Sequence, residues 1–252
     1  MAVLTRPPHY AIVVPVLRLR QVVWLASDLD AAEGTVSGLL GLKIAYRDPG
    51  VAAFGLANVV MPCGDQFVEI VSPTEEGTAA GRLLKKRFGD GGYMIILQTD
   101  DLEWVRARAD ELDMRIVHEA EGQLEGGPAI VGLHIHPSDV GGSLLSIDAC
   151  EEPGEWPWAG PEWREAVDMS VVDAIVGIEL QAADPDDVAQ RWSALLDRPV
   201  DDGLLKLDDA DLRFVRANDG RGDGLRALDF RSRDRSRVGE QLIIHGVIVN
   251  LR

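Results

Sequence analysis

Glu69 is the residue of this sequence best placed to do chemistry. It sits in Phe67-Val68-Glu69-Ile70-Val71, which reads as a strand. A carboxylate among apolar neighbours is costly to bury unless it is paired or bound to a metal. His134 and His136 stand two apart on a second predicted strand, residues 130–136, so their side chains would share one face. Residues 143–148 return past the turn at 137–142 and bring Ser146 beside them. Each imidazole is either a metal donor or a polar strand residue that faces solvent or touches a substrate. Gln98 shares a strand face with Met94 and could line a cavity as a polar contact, with Trp24 and Met94 giving stacking or apolar ones. Other chemistry is thin. Gly89-Asp90-Gly91-Gly92 precedes a strand rather than a helix, so it is no phosphate loop, and the chain has no serine nucleophile elbow. His118 reads as a surface residue.

The elements that must position these residues repeat. Residues 21–26 form an apolar strand that runs into the helix start Asp28-Leu29. Residues 94–98, followed by Asp101-Leu102, repeat the pattern 73 positions on, and residues 178–183, followed by Asp184-Pro185, repeat it more weakly. Asp28 and Asp184 lie 156 positions apart, as do Leu39 and Leu195, which close the corresponding helices. In the first unit a strand at 43–46, a turn at Asp48-Pro49-Gly50 and strands at 51–60 and 66–71 are expected to follow the helix. A short helix at 79–87 links it to the second unit, whose strands fall at 94–98, 115–118, 130–136 and 143–148. The third unit spans 175–217. The fourth is cut down to a strand at 225–231, a short helix at 233–242 and a closing strand at 246–251. Between the halves, residues 151–163 hold three tryptophans and three prolines and cannot be a helix. They read as a linker pinned by its rings or as an aromatic lid over a cavity.

Composition bounds the partners. The chain has 252 residues and a formal charge of −17. Nucleic acid and anionic lipid are bound mainly by Lys and Arg, so neither is an expected partner. Cys63 and Cys150 form no metal or redox spacing and suit a reducing compartment. Residues 10–17 are apolar but short, and Pro15 interrupts them, so they read as a leader or added edge strand rather than a membrane span or signal peptide. The expectation is a cytoplasmic protein.

Tandem β-α-β-β-β units that each open on a strand and an Asp-Leu helix start resemble the vicinal oxygen chelate superfamily, which includes glyoxalase I, methylmalonyl-CoA epimerase, extradiol dioxygenases and bleomycin-resistance proteins. The resemblance implies an α+β fold in which paired units curl mixed sheets around a cavity, with three full modules and a truncated fourth. It divides the chain into a leader at 1–18, a glyoxalase-like domain at 19–150, a Trp/Pro-rich linker at 151–170 and a degenerate second domain at 171–252. It also implies metal ligands on the first and last strands of each unit. The first falls on Gln21, seven positions before Asp28, and the last on Glu69. The second unit departs from the pattern, with Met94 and Ser146 at the matching places. His134, with or in place of His136, would then join Gln21 and Glu69 to hold a divalent ion (Zn, Ni, Mn or Fe). In the second half Gly177 replaces Gln21 and no carboxylate matches Glu69, which disfavours ring-cleaving dioxygenase chemistry. Two functions stay open. One is a metal-dependent isomerase, epimerase or lyase for a small oxygen-rich substrate, with Glu69 as ligand or proton-transfer base and Trp24, Met94, Gln98, Ser146 and His136 as substrate contacts. The other is a metal-free protein that binds or sequesters a small molecule. The resemblance allows a homodimer, although paired units within one chain would complete the cavity alone.

Overall fold

The computed structural model describes residues 15–252. Most of the expected leader lies outside them, and Leu17 and Arg18 already belong to the first strand, β1 (Leu17–Leu25).

The Asp-Leu pattern marks helix starts for a physical reason. Asp28 is extended and accepts a hydrogen bond from the Ala31 amide, capping α1 (Leu29–Leu40), which ends at Gly41 in the left-handed conformation. The short helix α2 (Ala79–Lys86) is capped by Thr78. Asp101 caps α3 (Leu102–Glu111) in the same way as Asp28. After one turn of helix, α4 (Pro137–Val140), Asp184 caps α5 (Pro185–Leu196), where proline takes a first-turn position that needs no amide hydrogen.

Two seven-stranded mixed sheets result. The first runs β2-β3-β1-β4-β7-β6-β5, where β2 is Leu56–Cys63, β3 Gln66–Pro73, β4 Gly91–Thr99, β5 Ile116–Gln123, β6 Ala129–Ile135 and β7 Leu144–Cys150. The second runs β13-β14-β12-β8-β11-β10-β9, where β8 is Val172–Ala182, β9 Val200–Asp201, β10 Leu204–Lys206, β11 Asp211–Arg216, β12 Gly224–Ser232, β13 Gln241–Ile244 and β14 Val247–Leu251. In each sheet the opening strands of two units pair antiparallel at the centre, β1 with β4 and β8 with β12. Each opening strand also pairs parallel with its unit's last strand.

Strand alternation sends one set of side chains to each face. One face of both sheets joins α1, α3 and α5 in a single core that holds Trp24, Leu97, Ile178 and Trp192. The other face of the first sheet has its own core, which includes Val23, Phe67, Met94 and Ile96 together with Trp156 and Trp163 from the segment between the halves.

Four local expectations give way. Residues 43–46 form no strand beyond a bridge between Tyr46 and Val60. Residues 51–54 belong to a 3-10 helix, Pro49–Phe54, because Asp48 caps its start and Pro49 favours a turn there. His136 leaves the strand: β6 ends at Ile135, and His136 caps the helix turn opened by Pro137. Residues 233–242 yield only the 3-10 turn Arg235–Arg237 before β13 begins.

Candidate active site

The face of the first sheet opposite α1, α3 and α5 encloses, with α2 at its rim, a cavity of about 510 Å³. One row across this face runs from Phe67 on β3 through Gln21 on β1 and Ile96 on β4 to Ser146 on β7 and His134 on β6, of which Gln21, Ile96 and His134 line the cavity. Glu69 and Asp148 lie two residues beyond Phe67 and Ser146 on the same face. Val23, Val71, Met94 and Leu144 make the wall apolar, and Tyr93 and Trp158 add aromatic surface.

Glu69 is 8% exposed, and both its oxygens are occupied. Gln21 Nε2 donates to Oε2 at 2.7 Å, and Asn58 Nδ2 donates to Oε1 at 2.6 Å. The direction of these bonds follows from the groups behind them. An indole N–H can only donate. Trp156 Nε1 reaches Gln21 Oε1 at 2.7 Å, so that oxygen must accept and the Gln21 amino group must face Glu69. On the other side the Asp48 backbone amide donates to Asn58 Oδ1 at 2.8 Å and fixes Asn58 in the same sense. Glu69 is thus held as a double acceptor. Burial pushes its pKa above the ordinary value, while the Asn58 and Gln21 bonds oppose that rise.

Asp148 is held differently. Trp158 Nε1 donates to Oδ2 at 2.8 Å, and Oδ1 meets the Ser146 hydroxyl. A hydroxyl can donate or accept, so Oδ1 is free to carry a proton. Burial lifts the Asp148 pKa to about 7, against the opposing Ser146 and Trp158 bonds. Two glycines make room for this pair. A Cβ on Gly132 would stand 2.7 Å from Asp148 Oδ1, and one on Gly122 would stand 2.3 Å from the Trp158 ring. The His134 imidazole lines the same wall. Burial first, and then neighbouring His118, lowers its pKa to about 4, so it is neutral near pH 7.

The sequence-derived candidates divide accordingly. Gln21, Glu69, Met94 and His134 line the cavity. Ser146 lies fully buried against Asp148. Gln98 is turned to the linker, donating to the Pro153 carbonyl at 2.9 Å. Trp24 sits on the opposite face of β1, in the core shared with the helices. His136 stands outside the lining, with Arg115 Nη2 at 3.1 Å from its Nδ1. Asp148 and Asn58 are site residues that sequence reasoning did not single out, whereas Trp156 and Trp158 belong to the segment it read as a pinned linker or an aromatic lid. Asp148 had a visible signal, the alternation Leu144-Leu145-Ser146-Ile147-Asp148, which puts it on the face of Ser146.

The donor set does not fit a divalent ion. Gln21 turns an amino group, not its carbonyl oxygen, toward Glu69, and Asn58 does the same. Met94 and Ser146 occupy the other two expected positions. Among the described residues no three His, Cys, Asp or Glu side chains stand together where they could hold an ion.

The sequence pattern of the glyoxalase-like domain matches residues 22–196. The chain belongs to the glyoxalase-like domain family. Two solved structures share this fold over most of the chain. A hypothetical protein from Staphylococcus aureus superposes with a TM-score of 0.72 at 13% identity, covering 94% of this chain and 99% of the other. A variant of 4-hydroxymandelate synthase from Streptomyces coelicolor gives 0.66 at 13% identity over 86% of this chain and 71% of that one. Methylmalonyl-CoA epimerase from Mycobacterium tuberculosis matches at 23% identity with a TM-score of 0.44, over 52% of this chain and 87% of its own. No curated protein matches the chain significantly. Among the described residues no helix is long and apolar enough to cross a membrane.

Proposed function

We propose that this cavity is a proton-transfer site acting on a small carbonyl compound, in the isomerase or epimerase class, with Glu69 as base and Asp148 as acid. The observation that carries the reading is the difference between two buried carboxyl groups on one cavity: Glu69 is wired as a double acceptor, whereas Asp148 keeps an oxygen able to hold a proton. Environments that set two titratable groups apart assign their acid and base roles.

Glu69 retains lone pairs beyond those used by Gln21 and Asn58. It would take a proton from the carbon beside the substrate carbonyl. The C–H electron pair becomes the C=C bond of an enol, and the carbonyl oxygen takes the proton held by Asp148. Glu69 then returns its proton to carbon, on the opposite face after the enol turns in the cavity or at the neighbouring carbon of an enediol, while an enol hydroxyl gives its proton back to Asp148. This yields the epimer or isomer and restores both carboxyl groups. The apolar wall keeps water from competing for these protons, and a pKa raised to about 7 suits Asp148 to act as an acid near neutral pH. No step in this scheme passes through a metal.

The test is exchange of carbon-bound hydrogen in heavy water, followed by NMR, with chelator-dialysed protein and a panel of simple carbonyl compounds. The expected result is enzyme-dependent exchange that falls by about 10²–10⁴-fold in Glu69→Gln or Asp148→Asn. Exchange restored only by added metal, or unchanged in both variants, contradicts the assignment. The apolar wall with its Trp158 face also favours a second reading, a protein that binds a small molecule without chemistry. Tight binding with no exchange across the panel would select it.

A further inference from the structure

The charges around the cavity bear on what it can hold. Glu69, Asp148 and Asp48 are the acidic groups of its lining, and Arg82 is the one lysine or arginine among the described lining residues. Their depths differ. Glu69 and Asp148 are buried at the floor, while Arg82 is exposed at the rim on α2, with a guanidinium bond to the Gly77 carbonyl. Arg20 is near in sequence but lies behind the rings. Its guanidinium carbon stands 5.3 Å from the Phe67 ring centre and 5.2 Å from that of Trp156, and its Nη1 is 3.5 Å from Asp65. It therefore presents no charge to the cavity interior.

An anionic group carried to the floor would meet Glu69 with no cation to compensate it, and a buried charge is expensive unless paired. A cationic group would be attracted by Glu69 but would lose its hydration among apolar side chains, and the carboxyl oxygens it could pair with already accept from Gln21, Asn58 and Trp158. Apolar side chains line most of the space between the acids, and the volume is far larger than a molecule of a few carbons fills.

We propose that the cavity selects an uncharged, ring-sized apolar carbonyl compound, with any ionised substituent kept at the rim beside Arg82. This rests on the proton-transfer reading for the carbonyl and on the charge layout for the rest.

Three probes built on one acetophenone frame test it by isothermal titration of the wild-type protein: acetophenone, 4-acetylbenzoate and (4-acetylphenyl)trimethylammonium. Acetophenone is expected to bind at least about tenfold more tightly than either charged analogue. Nuclear Overhauser contacts from its ring to the Trp158 indole and the Ile96 methyls are expected to place it in the cavity. Equal or tighter binding of a charged analogue, no binding of any probe, or contacts elsewhere overturns the proposal. In a folded Glu69→Gln, Asp148→Asn double variant the gap to the benzoate should narrow. An unchanged gap means that shape, not charge, excludes the anion, and overturns the charge argument. Acetophenone bound in the cavity without exchange of its methyl hydrogens would sink the proton-transfer reading and leave the ligand class standing. Exchange on the benzoate alone would do the reverse.

Discussion

The two halves of this protein share a sheet topology and differ at nearly every position that faces away from the helices. Superposing the strand registers aligns Gln21 with Gly177, Val23 with Glu179, Glu69 with Arg213, Met94 with Ala227 and Ile96 with Asp229. On the last strands Ser146 aligns with Asn250 and Asp148 with Arg252. Where the first half sets two carboxyl groups apart among apolar side chains, the second sets arginines against acids. Arg213 Nη2 pairs with Asp229 at 2.9 Å, Arg252 Nε with the same carboxylate at 3.1 Å, and Asn250 donates to it at 2.7 Å. The effect on protonation is opposite. Although burial alone would raise the Asp229 pKa, the bonds from Asn250 and Arg252 and the charges of Arg213 and Arg252 leave it lowered. Burial raises that of Asp148. One fold thus carries a face whose buried carboxyl groups have no charged partner and a face whose charges neutralise each other. The lesson is that the sheet sets the positions and the side chains on one face decide between chemistry and support.

The largest expected effect is on activity. Glu69→Gln or Asp148→Asn should cost about 10²–10⁴ in hydrogen exchange, while Arg213→Gln, at the position matching Glu69, should leave the rate within about twofold of wild type. A comparable loss in Arg213→Gln would show that the halves share one site.

Next is the pH dependence of stability. The Asp148 pKa rises from the ordinary 3.8 to about 7, so the folded chain holds this proton more tightly than the unfolded one. Stability therefore falls as pH increases from about 4 to about 7, by at most roughly 4 kcal/mol. His134 works in the opposite sense, since its lowered pKa favours the fold as pH rises from about 4 toward its ordinary 6.5. Urea denaturation of wild type and Asp148→Asn at a series of pH values isolates the first slope, because both proteins carry the second. Parallel curves would contradict it.

A smaller effect is expected at Gly132. An alanine methyl there would meet the Asp148 carboxyl at 2.7–2.9 Å. Gly132→Ala should destabilise by about 1–3 kcal/mol and lower exchange as Asp148 shifts. Unchanged melting and rate would show that the carboxyl has room to move. The least effect belongs to the second half's rim. The Arg231 side chain is 58% exposed and its partner Asp173 also faces Arg233 at 3.6 Å, so Arg231→Ala should change stability by less than about 1 kcal/mol and exchange not at all.

Much of this was legible in the sequence, and the reasons are local. An Asp before Leu at the end of an apolar strand favours a helix cap on local grounds, so Asp28 and Asp101 announce their units without any tertiary information. Glu69 declares itself because no other carboxylate in the first unit lies within so apolar a strand. What was not legible depends on distance or on the first turn of a competing element. Trp156 meets Gln21 across 135 positions. That contact determines which end of the Gln21 amide faces Glu69, and so whether Gln21 offers a ligand oxygen or an N–H donor. His134 and His136 look equivalent by spacing, but Pro137 starts a helix turn and takes His136 off the strand. Asp148 depends on Gly132 and Trp158 for its space and its hydrogen bond. Those neighbours become adjacent only when β5, β6 and the linker come together.

The central claim is that Asp148 carries a proton near neutrality while Glu69 stays wired as an acceptor. Carbon-13 NMR of the side-chain carboxyl groups, titrated from pH 4 to 9 in wild type and Asp148→Asn, tests it most directly. The account predicts one aspartate resonance titrating near pH 7 that is absent from the variant. If every aspartate carboxyl completes its titration in the ordinary range near pH 4, the acid of the proposed pair does not exist and the proton-transfer reading fails.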